Sequence, residues 1–186
     1  TFSTTNSALT VDARDFNNTA AGIISDTGTI DMTIDEAVLV EGTITSGALT
    51  STSDTFTSSA AIDVTGLVDV QTVNAIVLSP SVTGSDTGYF FSADASFTSD
   101  ILDFASDLTI IAPTGISING ASLVGGAFSA TSLDGATTLA NSLGMSGGTF
   151  SVVAQSFVST ADGDVTSAGA STFSVADAST VDGDFD

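Results

Sequence analysis

The chain contains no cysteine, histidine, tryptophan or lysine, and its single basic residue is Arg14. Without cysteine there is no disulfide framework and no thiol chemistry, and the redox compartment stays open. Without histidine there is no imidazole base near neutral pH. One cation stands against 22 acidic residues, a formal net charge of −21. Such a surface repels phosphate backbones and anionic lipid heads, so neither nucleic acid nor an electrostatic membrane contact is expected as a partner. Cations are the natural counterpart. No apolar run approaches the roughly 20 residues of a membrane-spanning helix, so membrane insertion is not expected, and no signal-peptide pattern is visible. Thr1 in place of Met leads us to expect a processed chain or a piece of a longer one.

What remains is enough for a core, since 42% of the 186 residues are hydrophobic. Only Glu36 and Glu41 are glutamates, so 22 minus 2 leaves 20 aspartates. Aspartate bends its own backbone at turns, whereas glutamate prefers helices. The acids are therefore turn residues first.

A small step centred on an acid or amide returns about every twenty residues. It reads Ile34-Asp35-Glu36, Ser53-Asp54-Thr55, Val73-Asn74-Ala75, Ala93-Asp94-Ala95 and, two periods on, Leu133-Asp134-Gly135. Pro113-Thr114-Gly115 fills the skipped corner, and the register then drifts to Gln155 and Asp177. Between corners, three families of short alternating segments recur in fixed order. The first holds Ile30 with Met32, Ala48 with Thr50, Val68 with Val70, and Phe91, followed by Phe128, Phe150 and Phe173 as an expected aromatic column. The second holds Phe16, Val38, Phe56, Ile76, Phe97, Ile116, Leu139 and Phe157. The third holds Ile24, Ile44, Ile62, Val82, Leu102, Leu123, Leu143, Val165 and Phe185. Two echoes support this register: Ser25-Asp26-Thr27-Gly28 returns as Ser85-Asp86-Thr87-Gly88, and Asp162-Gly163-Asp164 returns as Asp182-Gly183-Asp184.

Three families per period predict an all-β, three-sided parallel β-helix, a β-solenoid of about nine coils of roughly twenty residues. We expect one solenoid domain over residues 1–186, whole or a segment of a longer fibre or surface protein. An antiparallel sandwich also suits frequent turns, but it does not require one period held over the whole chain.

The Thr, Ser, Gly and Asp-rich coils, through segments such as Gly148-Thr149-Phe150-Ser151-Val152 and Ser171-Thr172-Phe173-Ser174-Val175, resemble repeats of filamentous haemagglutinin-like and autotransporter-passenger adhesins. Those are right-handed parallel β-helices on bacterial surfaces. The resemblance implies an extracellular or cell-surface location and a structural or adhesive role.

Carboxylates alone do not make an acid/base enzyme, which needs a cleft and a group that orients substrate. Arg14 is poor equipment for that, and we expect no enzymatic activity. Asp162, Asp164, Asp182 and Asp184 are the calcium candidates, because two Asp-Gly-Asp turns on adjacent coils bring four carboxylates near one another. Ordinary tight turns are the competing reading. No cofactor is required, with calcium the one ion the pattern suggests. Pairs such as Thr43/Thr45 and Thr55/Thr57 suit ice binding on a flat array, though outward Thr follows from β-propensity alone.

A solenoid presents unpaired strand edges at both ends. Phe185 belongs to the repeat yet stands in the acidic stretch Asp182-Gly183-Asp184-Phe185-Asp186. The expected function is thus a structural subunit of an extracellular fibre whose copies stack head to tail. The alternatives are a passenger segment of a large surface adhesin, which contacts cell-surface or matrix polymers, and a calcium-dependent surface-layer component.

Overall fold

Alternation of β-branched or aromatic residues with Thr, Ser and Asp makes short strands that are apolar on one side only. The computed structural model describes residues 2–4, 7–85 and 88–186, and among these it is all-β with no helix. Thr1, Asp86 and Thr87 lie outside them, so the second member of the Ser-Asp-Thr-Gly echo is described only at Ser85 and Gly88.

The strands form three parallel ladders. The first runs from Leu9–Ala13 through Thr29–Ile34, Ala48–Ser53 and Val68–Thr72 to Tyr89–Ala93 and Leu108–Ile111. It continues through the leading halves of Phe128–Leu139 and Phe150–Ser159 to Ser171–Val175. The second begins at Phe16–Asn18, Ala37–Val40 and Thr55–Ser58, passes the starts of Ile76–Gly84 and Ser96–Phe104, and reaches Gly115–Ile118. The ends of Phe128–Leu139 and Phe150–Ser159 and then Thr180–Val181 complete it. The third starts at Phe2–Thr4, Ile24–Asp26, Ile44–Ser46 and Ile62–Val64. It closes through Ser122–Val124, Leu143–Met145 and Val165–Thr166, with a last bridge from Val165 to Phe185.

Three ladders fit a three-sided coil, and the chain is a parallel β-solenoid of about nine turns with a period near twenty. Ile24, Ile44, Ile62, Val82 and Leu102 stand in one column, separated by 20, 18, 20 and 20 residues. At about 4.8 Å per coil the rod is on the order of 40 Å long. One continuous apolar core runs down its axis.

Register differs from the sequence expectation in three places. In Ala48–Ser53 the inward side chains are Leu49, Ser51 and Ser53, not Ala48 and Thr50, because Leu49 pairs with Ile30 below and Val68 above. The apolar neighbours in the column decide; alternation within this strand alone is too weak to do so. Leu123 points outward and is 58% exposed, while Ser122 and Val124 face the core. Ser122 can stand there because its hydroxyl accepts the Leu102 N–H at 3.1 Å and donates to the Gly120 carbonyl. Finally, Phe128 and Phe150 do stack, with centroids 5.3 Å apart, but Phe173 pairs with Val152, two residues along, and only its ring reaches Phe150.

Coils touch most closely at corner glycines. A Cβ on Gly42 would lie 1.8 Å from the Gly22 carbonyl oxygen, and one on Gly135 would lie 1.9 Å from that of Thr114. Only glycine lets the backbone of one coil rest on the next at these points.

Candidate functional site

The corner between the first and second ladders carries the repeated acids as a vertical row. The row is tied by backbone bonds from coil to coil: Asp54 N–H to Glu36 O, Asn74 N–H to Asp54 O, Ala95 N–H to Asn74 O and Thr114 N–H to Ala95 O. Its charges are interleaved with partners. Arg14 bridges to Glu36 at 2.6 Å, the Asn74 amide donates to Asp54 at 2.6 Å, and the Gln155 amide donates to Asp177 at 2.5 Å. The hydrogen bond that Arg14 donates to Glu36, and then the charge of Glu36, hold the guanidinium above its ordinary pKa. Both partners are largely exposed, so this pair adds little stability. Asp35, Asp54 and Asp94 line a shallow groove with Gln71 and Val73. The Asp94 N–H bonds to the Thr72 carbonyl and the Ala95 N–H to that of Asn74, so Val73 lies below Asp94 and an uncharged residue underlies its carboxylate. Asn74, the one amide among the regularly spaced acids Asp35, Asp54 and Asp94, thus meets the Asp54 carboxylate with an uncharged donor.

The two Asp-Gly-Asp turns lie on adjacent coils, Gly183 over Gly163. Asp164 accepts the Asp184 N–H at 2.9 Å, while the Ser159 hydroxyl accepts the Gly183 N–H and donates to the Gly163 carbonyl. Asp162, Asp164, Asp182 and Asp184 are all exposed. Among the described residues no group of three or more carboxylates gathers closely enough to hold a metal ion. What this geometry shows is a turn pair held by backbone and hydroxyl bonds. Other aspartates are used likewise, Asp63 accepting from Thr83 and Asp107 from the Ala127 N–H.

A third feature is apolar. At the last described coil Phe157, Phe173, Val175, Val181 and Phe185, with Ser179, line an open concavity. Phe173 packs edge-on against Phe157 at 5.1 Å and Phe185 at 5.5 Å, and yet it is 40% exposed, with Val181 at 52%. These are inward positions of the repeat on the last described coil. At the other end Leu9, Val11, Ala13 and Phe16 are packed against the core but only partly buried. The sequence signalled this surface through Phe185, an apolar residue among aspartates. It did not signal the ring cluster, which depends on the two-residue offset of Phe173.

The fold defines the class, a parallel β-solenoid repeat protein. Comparison with protein-family models, curated proteins and solved structures gives no match.

Proposed function

We propose that the chain is a non-enzymatic structural element of an extracellular fibre, in which the last coil of one copy stacks on the first coil of the next. The observation that carries this reading is the open apolar concavity around Phe173, Val181 and Phe185. An apolar, strand-edged surface of this kind is covered best by another coil of the same circumference. Such a coil completes the backbone ladder and extends each column in register. Val11 of the next copy would follow Val152 and Phe173 in the first ladder. The contact is heterologous, so it propagates and does not close. The location outside the cell rests on the resemblance to surface adhesin repeats. Cations such as calcium enter by screening the carboxylates that adjoining copies bring together, with the turns at Asp162, Asp164, Asp182 and Asp184 beside the junction.

Electron microscopy of the purified chain, with and without chelator, tests the proposal. Uniform fibres many times the roughly 40 Å length of one rod are expected, and Phe173→Asp should reduce them to single rods. Single rods from the unaltered chain, at every concentration and with calcium present, would overturn head-to-tail assembly and favour the passenger segment of an adhesin. Shortening of the fibres by chelator alone would assign calcium to the junction.

A further inference from the structure

From Ala37 onward the outer face of the second ladder carries no charge among the described residues, and only Asp15, before Phe16 on the coil beneath, adjoins it. Its wider column runs from Leu39 through Thr57, Val77, Thr98 and Ser117 to Thr138, each paired in register with the next. Two positions earlier on each strand lies a narrower column that includes Ala37, Thr55, Ser96, Gly115, Ala136 and Ser156. These side chains alternate with fully buried ones such as Val38, Phe56, Phe97 and Ile116, so they point outward. The contrast with the other faces is sharp: the outer side of the first ladder bears Asp12, Asp31 and Asp69, and that of the third bears Asp63 and Asp103. Carboxylates return at once along both edges of the neutral face, at Asp54, Asp94 and Asp134 on one side and at Glu41 and Asp100 on the other.

We propose that this face binds the same face of a second copy, side by side and parallel, about a two-fold axis that runs along the rods. Three observations select a second copy. First, in a chain of net charge −21 this face stays neutral from Ala37 to the last coils, whereas the first ladder is neutral only from Tyr89 onward, so here two copies can meet over the longest stretch without burying carboxylates. Second, two identical solenoids have the same coil spacing, so their side-chain rows stay in step along the whole contact, as in stacked sheets about 10 Å apart. Third, a two-fold parallel to the rod places the wide column of one copy over the narrow column of the other: Thr98 and Ser117 against Ser96 and Gly115. A two-fold across the rod would set wide on wide. The face is about 40 Å by ~13 Å, on the order of 1,000 Å² in total for two copies, the lower limit for a specific contact. The contact is therefore weak, and the acidic edges make it depend on screening. It stands independently of end-to-end stacking.

Sedimentation of the full chain, both unaltered and as Phe173→Asp to remove end contacts, tests the proposal. A dimer is expected at about 0.15 M salt and tens of micromolar protein, weakening at about 0.01 M. Thr98→Asp with Thr138→Asp should weaken it by at least about tenfold without lowering the melting temperature, whereas Thr109→Asp with Ser129→Asp, on the first ladder, should leave it unchanged. Mixing the Asp pair with Thr98→Lys/Thr138→Lys copies should restore a mixed dimer, because the parallel two-fold sets like positions at one height. A monomer at all salt concentrations would overturn the proposal. So would an Asp pair that dimerises as well as the unaltered chain, or a mixture that fails to pair.

Discussion

The coils around Ser51 and the coils around Phe104 share one backbone ladder and nearly one circumference, yet they are filled in opposite ways. In the earlier coils Asp26, Ser46, Ser51 and Ser53 face inward, at 2%, 1%, 2% and 7% exposure. Asp26 Oδ2 and the hydroxyls of Ser46, Ser51 and Ser53 make no hydrogen bond to a described protein group. In the later coils rings fill the same space: Tyr89 stacks on Phe104 at 4.0 Å, Phe91 lies 5.4 Å from Phe97, and Phe128 stacks on Phe150. Inward polar groups there are mostly matched. Ser132 donates to the Gly135 carbonyl, Ser159 to that of Gly163 and Ser122 to that of Gly120, with Ser99 the exception. The difference teaches that the ladder of backbone bonds and the columns of neighbours set the coil, while its filling is free to vary. It also sets an expectation that stability is uneven along the rod, lowest where orphan oxygens replace rings.

That contrast can be broken most forcefully at Phe104. Phe104→Ala removes a ring stacked on Tyr89 and tilted against Phe91 and should cost about 3–5 kcal/mol in urea unfolding. A cost below about 1 kcal/mol would show that the ring-filled coils are not the stable ones. Next comes a change to the ladder itself. Gly42→Ala drives a methyl into the Gly22 carbonyl, which can yield only if two coils separate, and a loss of about 1–3 kcal/mol is expected. Hydrogen exchange should place the loosening in the earlier coils. The polar filling is sharpened by Ser51→Ala, which deletes an orphan hydroxyl with little change of volume. A gain of about 1 kcal/mol is expected, and a loss would mean that the hydroxyl has a partner in solution. Least of all, Arg14→Gln removes an exposed pair and should leave the unfolding midpoint unchanged.

How much of this was legible in the sequence depended on the strength of alternation. Ile30-Asp31-Met32-Thr33-Ile34 admits one reading, and that reading holds, with Ile30, Met32 and Ile34 buried. Ala48 to Ser53 alternates only weakly, and a choice between two faces made within the strand went to the wrong side. Leu123 misled for a related reason: a large apolar residue stands outward while a hydrogen-bonded Ser122 stands inward. The corner row was legible because aspartate and asparagine are turn residues at a constant interval. The open end was half legible, through Phe185, and its ring cluster was not.

By itself, then, the sequence determined the period, the three segments per coil and the acidic corners, since each is a property of neighbours in the chain, and its composition excluded thiol and imidazole chemistry. Tertiary structure alone decided register: which of two alternating residues enters the core, that Phe173 lies over Val152, and that the outward positions of the second ladder from Ala37 onward are uncharged. The physical reason is that a strand's two faces are exchanged by a slip of one residue. Only the columns formed by coils about twenty residues apart hold each strand against that slip.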